Sequence, residues 1–573
     1  MRNARQILDI VLAAFGPQIL EPGSDADALA DSKADYQALA HGWKDLVDSY
    51  SKNDEDSSKL ILSTTEARRE THRLSWPKLT CGQWLRNAQG VLSSMASNYD
   101  MPRLFLGQAA AVAALVAAAI AAARCVNDKA GSFIPVSGIL LVYGVMMFAS
   151  SYVEEEHHFW YWATTAWFAY LGVRGLKRYA RPLCQFCQPL TLLRGNASAA
   201  LQTVSATAML LATRIVRSWN QTGQKFAGEP DIVKTYLNTN PALLWCLIGA
   251  TYFWVHLNLI SGLSGLPTWL SIPSATALVL AAFTFKVAFT LEDAPELVTG
   301  FAKSLLELTF TRDPSLIARA RTVFLGLALL TALTIFFILT RRRISLTQSG
   351  TTTLLHLLTL LCITQSRPAN IPVYPLLLLP YSLLPVLSIS PIDISTTVIL
   401  LQHTAFFALG GSNSIASVDL SSAYNGVGSF DVAAVGVLTF LGNWGGSVVA
   451  SLGGIVLLLG VADDNTKGGG HKGGEREIDN NDRGVCDRET GHKGVDDKWG
   501  VWKGHVAVLT VVVAGGVVGV MAACTVLRTH LFVWTVFSPK YLYCVAWSLG
   551  QHLMVDVALG GVVYWLGVWE RGG

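Results

Sequence analysis

Long apolar segments alternate with short polar islands along most of this 573-residue chain. From Leu104 onward the apolar segments are about 17 to 25 residues long, which is the length of helix that crosses roughly 30 Å of hydrocarbon. The predicted spans are 104–124, 133–152, 159–175, 198–216, 241–261, 268–290, 321–340, 351–365, 371–388, 394–410, 432–460, 504–525 and 541–567. The pattern therefore predicts an all-α polytopic membrane protein with about thirteen transmembrane helices.

The composition supports this class. Hydrophobic residues make up 51% of the chain and charged residues 14%, whereas a soluble domain carries about a quarter charged residues. The 43 basic and 40 acidic residues leave a net charge of +3, so the sequence has no electrostatic footprint for nucleic acid. The nine cysteines are scattered. Cys184 and Cys187 form a single CxxC without a second half, and neither a disulfide framework nor a metal motif is predicted.

Two segments differ from the rest of the chain. Residues 1–103 are polar and helix-prone but too thinly apolar for a complete domain, and 461–502 are Gly-rich, mixed in charge and nearly free of aliphatic side chains. A segment of that second kind buries too little apolar surface to order itself. The predicted organisation is a helical segment at 1–103, a transmembrane bundle at 104–460, a disordered loop at 461–502 and C-terminal transmembrane helices at 503–573.

The basic loops predict the orientation. Residues 174–194 and 341–343 should face the cytosol by the positive-inside rule, which places 461–502 in the cytosol and 1–103 in a lumen. No basic stretch followed by an apolar one opens the chain, so no cleavable signal peptide is predicted. The amphipathic helix predicted at 1–15 starts without a cap or a leader, which suggests that the beginning of the protein is missing.

The first polar island is SYVEEEHHFWYW at 151–162, in a predicted lumenal turn. Its candidate binding residues are Glu154, Glu155, Glu156, His157 and Trp160. Carboxylates there can bind a cation, orient an ammonium group or solvate a short loop, since charge at the interface costs far less than at the bilayer centre. Adjacent histidines do not have the HExxH spacing of a zinc site, so no metal is assigned.

The second island is RSWNQTGQKFAGEPDI at 217–232. Its composition suits either a structured loop that meets a polar ligand or an interfacial connector. The candidate residues are Trp219, Gln221, Lys225, Glu229 and Asp231. Asn220 also begins a glycosylation sequon on the predicted lumenal side.

Two further islands lie toward the C-terminus. HTAFFALGGSNSIASVDLSSAYNGVGSF at 403–430 has irregular backbone, which at membrane depth is tolerated only where protein or a water-filled cavity surrounds it. Its candidates are Asn413, Asp419, Tyr424 and Asn425. In THLFVWTVFSPKYLY at 529–543, Pro539 is expected to break the helix, with Lys540 at the interface. His552 and Asp556 lie four residues apart within the last span, where they can pair.

The polar segments contain no phosphate-binding loop and no nucleophile-elbow or kinase signature. The four islands YVEEEHHFWYW, RSWNQTGQKFAGEPDI, FFALGGSNSIASVDLSSAYNGV and HLFVWTVFSPKYLY together resemble the GPI ethanolamine phosphate transferases of the endoplasmic reticulum. The likeness runs with gaps from about residue 1 to 567, and WNQTGQKFAGEPDI points to the second-enzyme subfamily of fungi.

The resemblance implies a multi-pass enzyme of the endoplasmic reticulum membrane that moves phosphoethanolamine from phosphatidylethanolamine to a mannose, the second, of a GPI-anchor precursor. It also implies a small multi-pass partner subunit. In the family, a lumenal alkaline-phosphatase-like domain carries a threonine nucleophile and two zinc ions. Residues 1–103 contain only His41 and His72, so the catalytic domain is expected to be missing and the chain alone inactive. No catalytic or metal-binding residue is assigned in this chain.

Three hypotheses follow. In the first, carboxylates of the first island attract the ammonium of ethanolamine while Trp160 and Tyr161 supply cation–π faces. In the second, the chain is a transporter or lipid scramblase that uses His552 and Asp556. In the third, it is a non-catalytic scaffold that stabilises another enzyme.

Overall fold

The computed structural model describes residues 100–125, 133–149, 155–180, 189–220, 231–264, 267–298, 300, 302, 304, 315–340, 349–387, 389–469, 483–527 and 538–571. Regular structure within these residues is helical, and no strand occurs among them. The all-α fold class is therefore confirmed. The helices predicted in 1–99, the CxxC and the candidates Glu154, Gln221, Lys225 and Glu229 lie outside the described residues.

We number the main helices in chain order. They are α1 Met101–Cys125, α2 Ile134–Met146, α3 Glu156–Ala180, α4 Pro189–Arg217, α5 Pro241–Gly262, α6 Thr268–Asp293, α7 Leu316–Thr340, α8 Gly350–Gln365, α9 Val373–Leu383, α10 Pro391–Ala408, α11 Val432–Gly469, α12 Arg483–Val526, α13 Ser538–Val545 and α14 Gly560–Arg571. A π-helical stretch, Ala546–Leu559, joins α13 to α14, so that these three pieces form one continuous last helix.

Each predicted span overlaps one of these helices. Among the described residues, eight helical stretches are long and apolar enough to cross a membrane, which confirms a polytopic membrane protein, while the count of thirteen stays a prediction. Helix α2 has only 13 residues and is shorter than the span predicted at 133–152. Pro539 lies in the first turn of α13, and residues 528–537 lie outside the described part of the chain, so the expected helix break stays a prediction. Proline is favoured there because its missing N–H would have no partner within the helix.

Helices α8, α10 and α11 form the centre of the bundle, and nearly every residue of α10 is buried. The hydroxyls of α10 are satisfied within the helix: Thr396 donates to the carbonyl of Ile392 at 2.9 Å and Thr397 to that of Asp393 at 2.7 Å. Such internal pairing is required where no water is available. Helix α11 packs closely against α10 because Gly454 has no Cβ, which would otherwise lie 2.1 Å from a methyl group of Val398.

Helices α11 and α12 extend into the segment predicted to be a disordered loop. Helix α11 continues to Gly469 and α12 begins at Arg483, so the described parts of 461–502 are helical. One physical reason is an ionic cluster that joins α11, α12 and α14. Asp463 accepts hydrogen bonds from Lys498 at 2.5 Å and from Arg571 at 3.0 Å, and composition alone does not reveal these pairings.

Candidate functional site

A buried carboxylate, Glu156 at the start of α3, collects hydrogen bonds from three other parts of the chain. Its Oε1 accepts from the Tyr143 hydroxyl of α2 at 2.8 Å and from its own helix neighbour Trp160 at 3.0 Å. Its Oε2 accepts from the Asn413 amide at 2.6 Å and from the Lys540 ammonium of α13. We call these five residues the Glu156 cluster. It joins the first, third and fourth islands.

The Glu156 cluster contains a buried ion pair whose carboxylate accepts four hydrogen bonds. Glu156 is 1% exposed and Lys540 3%. Lys540 also lies 5.8 Å from the centre of the Tyr143 ring and 3.5 Å from Asn413 Oδ1. A buried pair of this kind is tolerated only when further hydrogen bonds satisfy both ions, and here Tyr143, Trp160 and Asn413 supply them. The arrangement therefore holds the 409–431 loop and α13 against α3.

This geometry differs from the exposed carboxylate rim that the sequence suggests. The Glu156 carboxylate is already occupied by donors, one of them a cation. The Trp160 ring is 1% exposed and stacks on His403 with 3.8 Å between ring centres, while Tyr161 and His157 are also buried. The exposed member of the aromatic string is Trp162, with Arg217 5.1 Å from its ring centre. An incoming ammonium would therefore have to compete with Lys540 for Glu156.

A second polar cluster surrounds Asp419 in the loop between α10 and α11. Asp419 Oδ2 accepts from Arg367 Nε at 2.8 Å, and Oδ1 accepts from the Ser421 backbone N–H at 3.0 Å. Asn443 pairs with the Asp419 backbone in both directions, at 2.8 and 3.0 Å. Burial by itself would raise the pKa of Asp419, but the hydrogen bonds from Arg367 and Ser421 and the Arg367 charge outweigh it, so the pKa is lowered.

The remaining third-island candidates are placed differently from each other. The Asn425 amide is buried and donates to Gln365 Oε1 at 3.1 Å, whereas Tyr424 is 52% exposed. Gly426 follows with a positive φ of 76°, a conformation that costs glycine little. The loop thus buries the Asn425 side chain against α8 and turns the preceding Tyr424 ring outward.

The described ends of the second island pack on the short loop between α8 and α9. Trp219 Nε1 donates to the Ala369 carbonyl at 2.8 Å, and Asn220 Nδ2 donates to Asn370 Oδ1 at 3.3 Å. Asn370 in turn donates to the Leu409 carbonyl at 2.6 Å. The predicted glycosylation nitrogen of Asn220 therefore makes a hydrogen bond in this structure. Asp231 is buried and accepts from the Lys234 backbone N–H at 2.9 Å, a local turn contact.

The pattern of the sequence does not single out several residues of these clusters. Tyr143 lies within an apolar run, and Arg367 and Asn370 lie in a very short loop, so nothing in the local pattern marks them. His403 begins the third island and lies inside the predicted span 394–410. Lys286 can be identified from the sequence as a functional-site candidate, because it is an ionisable residue inside a predicted span. It is buried in α6, where its ammonium donates to the Ser366 carbonyl at 2.8 Å and lies 4.9 Å from the centre of the Phe289 ring.

A cavity adjoins the Glu156 cluster within the bundle. It has a volume of about 50 Å³, and Tyr143, Trp160 and Lys540 form part of its wall. Deeper in the cavity lie Gln551, His552 and Asp556. The predicted His552–Asp556 contact is confirmed, with 3.4 Å between His552 Nδ1 and Asp556 Oδ2. The residues that the structure describes contain no group of three or more His, Cys, Asp or Glu side chains placed to bind a metal.

Comparison with known proteins gives a family match over most of the chain. Residues 96–569 match the family model described as GPI ethanolamine phosphate transferase membrane region. The chain is similar to proteins named GPI ethanolamine phosphate transferase 2 in three fungi. Identity is 33% over 475 residues in Aspergillus fumigatus (82% of this chain and 47% of the relative). It is 33% over 485 residues in Aspergillus oryzae (83% and 47%), and 27% over 488 residues in Saccharomyces cerevisiae (81% and 51%). The chain thus spans about half the length of these relatives. No solved structure matches it.

Proposed function

Because the chain belongs to the GPI ethanolamine phosphate transferase family through its membrane region, we propose that it acts in GPI-anchor biosynthesis in the endoplasmic reticulum membrane. It is the membrane portion of an enzyme that transfers phosphoethanolamine from phosphatidylethanolamine to the second mannose of a GPI precursor. The observation that carries this proposal is the family match over residues 96–569. The convergence of three polar islands on Glu156 adds support, since it builds one ordered polar site beside a cavity.

The described residues bind and orient rather than carry out the transfer. Glu156 is a positioning residue, because it holds Asn413 and Lys540 through hydrogen bonds. Lys540 lines the cavity and its ammonium is paired with Glu156, so the phosphate of a lipid head group would share this cation with the carboxylate. Zinc is implied by the family resemblance, but the described residues bring together no set of ligands for it. We therefore assign no metal ligand and derive no metal-dependent step in this chain.

The proposed partners follow from the family rather than from a contact. They are the two lipid substrates, phosphatidylethanolamine and the GPI precursor, and a small multi-pass subunit. The scaffold hypothesis makes a different prediction about the Glu156 cluster. A scaffold would act through an intact transferase, so its function would survive loss of the cluster as long as the bundle folds.

The proposal is tested in the source organism, so that the protein is studied as the cell makes it. The gene is deleted, GPI precursors are labelled with radioactive inositol, and mass-spectrometric fragmentation locates phosphoethanolamine on each mannose. We expect precursors that lack the group on the second mannose. A deletion strain with fully modified precursors at the normal level would contradict the proposal, and loss from a different mannose would correct the acceptor.

Chromosomal point variants then test the site. Lys540→Met should reproduce the deletion in part, while Arg103→Met, which affects an exposed ion pair with Asp100, serves as the matched control. Protein abundance in microsomes is measured for both variants. A normal precursor profile in a Lys540→Met strain with normal abundance would remove Lys540 from the site.

A further inference from the structure

The cavity beside the Glu156 cluster has one polar wall that descends into the membrane. Lys540, Cys544, Ser548, Gln551, His552 and Asp556 all line it. They are spaced four, four, three, one and four residues apart, so they lie along one side of the last helix. Asp556 is sixteen residues beyond Lys540 and fifteen before Arg571 at the other end. At 1.5 Å per α-helical residue, and less in the π-helical stretch, this places Asp556 about 20 Å below the mouth, near the middle of the span.

The facing wall is apolar. Helix α2 contributes Ile139 and Leu140, and α12 contributes Leu509, Val512, Val513 and Val517. These two helices approach closely where Gly519 lies 3.5 Å from the Cα of Gly144, measured from the position a Cβ would take. A cavity with one polar and one apolar wall matches an amphiphile, because a head group is stabilised on the first and acyl chains on the second.

The floor of the cavity is rich in hydrogen-bond acceptors. Asp556 Oδ1 accepts from Gln402 at 2.8 Å, from Ser451 at 2.8 Å and from Gln551 at 3.3 Å. Its Oδ2 faces His552, whose other ring nitrogen pairs with Thr510 at 3.0 Å. The side-chain oxygen of Gln551, which is 1% exposed, has no hydrogen-bond partner among the described residues.

A purely structural role does not account well for this floor. Replacing buried polar groups by well-packed apolar side chains is often neutral or stabilising, and a carboxylate at mid-membrane is costly. Here Gln551 and Asp556 are buried and also line the cavity. Their chemistry fits a ligand that donates hydrogen bonds, such as the ammonium or hydroxyl groups of a phospholipid head.

Trp502 of α12 lies beyond the floor. A Cβ on Gly560 would be 3.1 Å from its ring, and the ring stacks on Tyr564 with 5.0 Å between centres. Further polar contacts lie close to this ring, whose centre is 5.8 Å from that of the His505 ring. His505 pairs with Ser395 at 2.8 Å, and Asp393 binds Arg174 through both oxygens. Along α12, His505 lies between Thr510 at the cavity floor and Trp502, so this run of polar side chains extends from the floor as far as the buried indole.

We propose that this cavity is part of a path along which phospholipid head groups cross between the leaflets, with Trp502 as its closed gate. The head group follows the polar face of the last helix while the acyl chains remain against α2, α12 and the surrounding bilayer. This activity is distinct from phosphoethanolamine transfer and does not require it, so either proposal can fail without the other.

The test uses the purified full chain reconstituted in phosphatidylcholine liposomes. Trace phosphatidylethanolamine, phosphatidylinositol or phosphatidylcholine labelled with NBD on an acyl chain reports exposure to external dithionite. We expect dithionite to bleach more than the outer-leaflet half in the presence of the protein, and Trp502→Ala to raise the crossing rate several-fold. Phosphatidylethanolamine or phosphatidylinositol should cross faster than phosphatidylcholine, whose quaternary ammonium cannot donate hydrogen bonds. The faster of the two identifies whether ammonium or hydroxyl groups meet the floor.

Three variants test the path itself. Asp556→Asn should slow crossing about tenfold, equivalent to about 1.4 kcal/mol. Val513→Trp, which fills the cavity from the apolar wall without touching the polar network, should also block it. Asp463→Asn makes the same chemical change outside the cavity and should leave the rate unchanged. Elution as a single folded species in detergent is required of each variant.

The proposal is overturned if neither the natural chain nor Trp502→Ala exceeds protein-free liposomes. It is also overturned if folded Asp556→Asn and Val513→Trp cross at the unchanged rate, or if all three lipids cross equally fast.

Discussion

Glu156 and Lys540, 384 residues apart in sequence, form a buried ion pair that ties the start of α3 to the start of the last helix. Asn413 donates to the same carboxylate oxygen, so the loop between α10 and α11 joins the contact. These contacts hold three parts of the chain together beside the cavity: the start of α3, the loop between α10 and α11, and the start of the last helix.

Breaking this pair from one side should be severe. In Lys540→Met the Glu156 carboxylate stays buried without its cation, which costs about 3 to 5 kcal/mol in comparable pairs. The midpoint of thermal unfolding in detergent should fall well below that of the natural chain. The double variant Glu156→Gln with Lys540→Met should recover part of the loss, because no unpaired charge remains.

Arg103→Met provides the comparison, since its pair with Asp100 is exposed and worth at most about 1 kcal/mol. An equal fall in the midpoint for Arg103→Met and Lys540→Met would show that burial of the Glu156 pair has no energetic consequence.

The Asp419 cluster should make stability depend on acidity. Because the pKa of Asp419 is lowered from its ordinary 3.8 in the folded protein, the unfolded chain binds the proton more tightly. The stabilisation is therefore fully present above pH 3.8 and is lost as the pH falls through the lowered value. Asp419→Asn should unfold at a lower temperature than the natural chain at pH 7, and the difference should shrink below pH 3.8. A constant difference across this range would contradict the assignment.

The contact between α10 and α11 requires a glycine at one position and not at another on the same helix. Gly454→Ala would place its methyl group 2.1 Å from Val398, and overpacking of this kind costs about 1 to 3 kcal/mol. Gly460→Ala meets nothing within 4 Å and should stabilise helix α11 by up to about 1 kcal/mol. Thermal unfolding of the two variants should shift in opposite directions, and shifts of the same sign would count against the packing argument.

At the other end of the bundle, Arg174 donates two hydrogen bonds, of 3.0 and 2.5 Å, to the Asp393 carboxylate. Arg174→Lys keeps the charge but replaces the planar guanidinium, which donates both hydrogen bonds, by a single ammonium. The loss of one charged hydrogen bond should lower the free energy of unfolding by about 1.5 kcal/mol. Lys177→Arg, at an exposed position on the same helix, should change the unfolding midpoint little. If Arg174→Lys unfolds like the natural chain, the bidentate geometry is not needed.

The candidate site was only partly predictable. Glu156, Trp160, Asn413 and Lys540 were singled out because they stand in polar islands between apolar spans, and they do meet. Their partner Tyr143 lies inside an apolar run with no local mark. The expected ammonium-binding rim differs from the observed contacts because the nearest cation to Glu156 comes from the last helix. Helix at 461–469 and 483–502 was missed because composition does not show that Asp463 meets Lys498 and Arg571.

The sequence by itself determined the membrane class, the helices and the family. Span length depends on bilayer thickness, and a run of apolar residues in lipid must satisfy its backbone internally, so both are local properties. Tertiary structure alone decided that Glu156 is neutralised, that Trp160 stacks on His403 and that Asp556 borders a cavity. Such outcomes depend on which distant side chains share a low-dielectric interior. In that interior the energy of a charged side chain depends on partners hundreds of residues away in sequence, and the periodicity of the chain does not identify those partners.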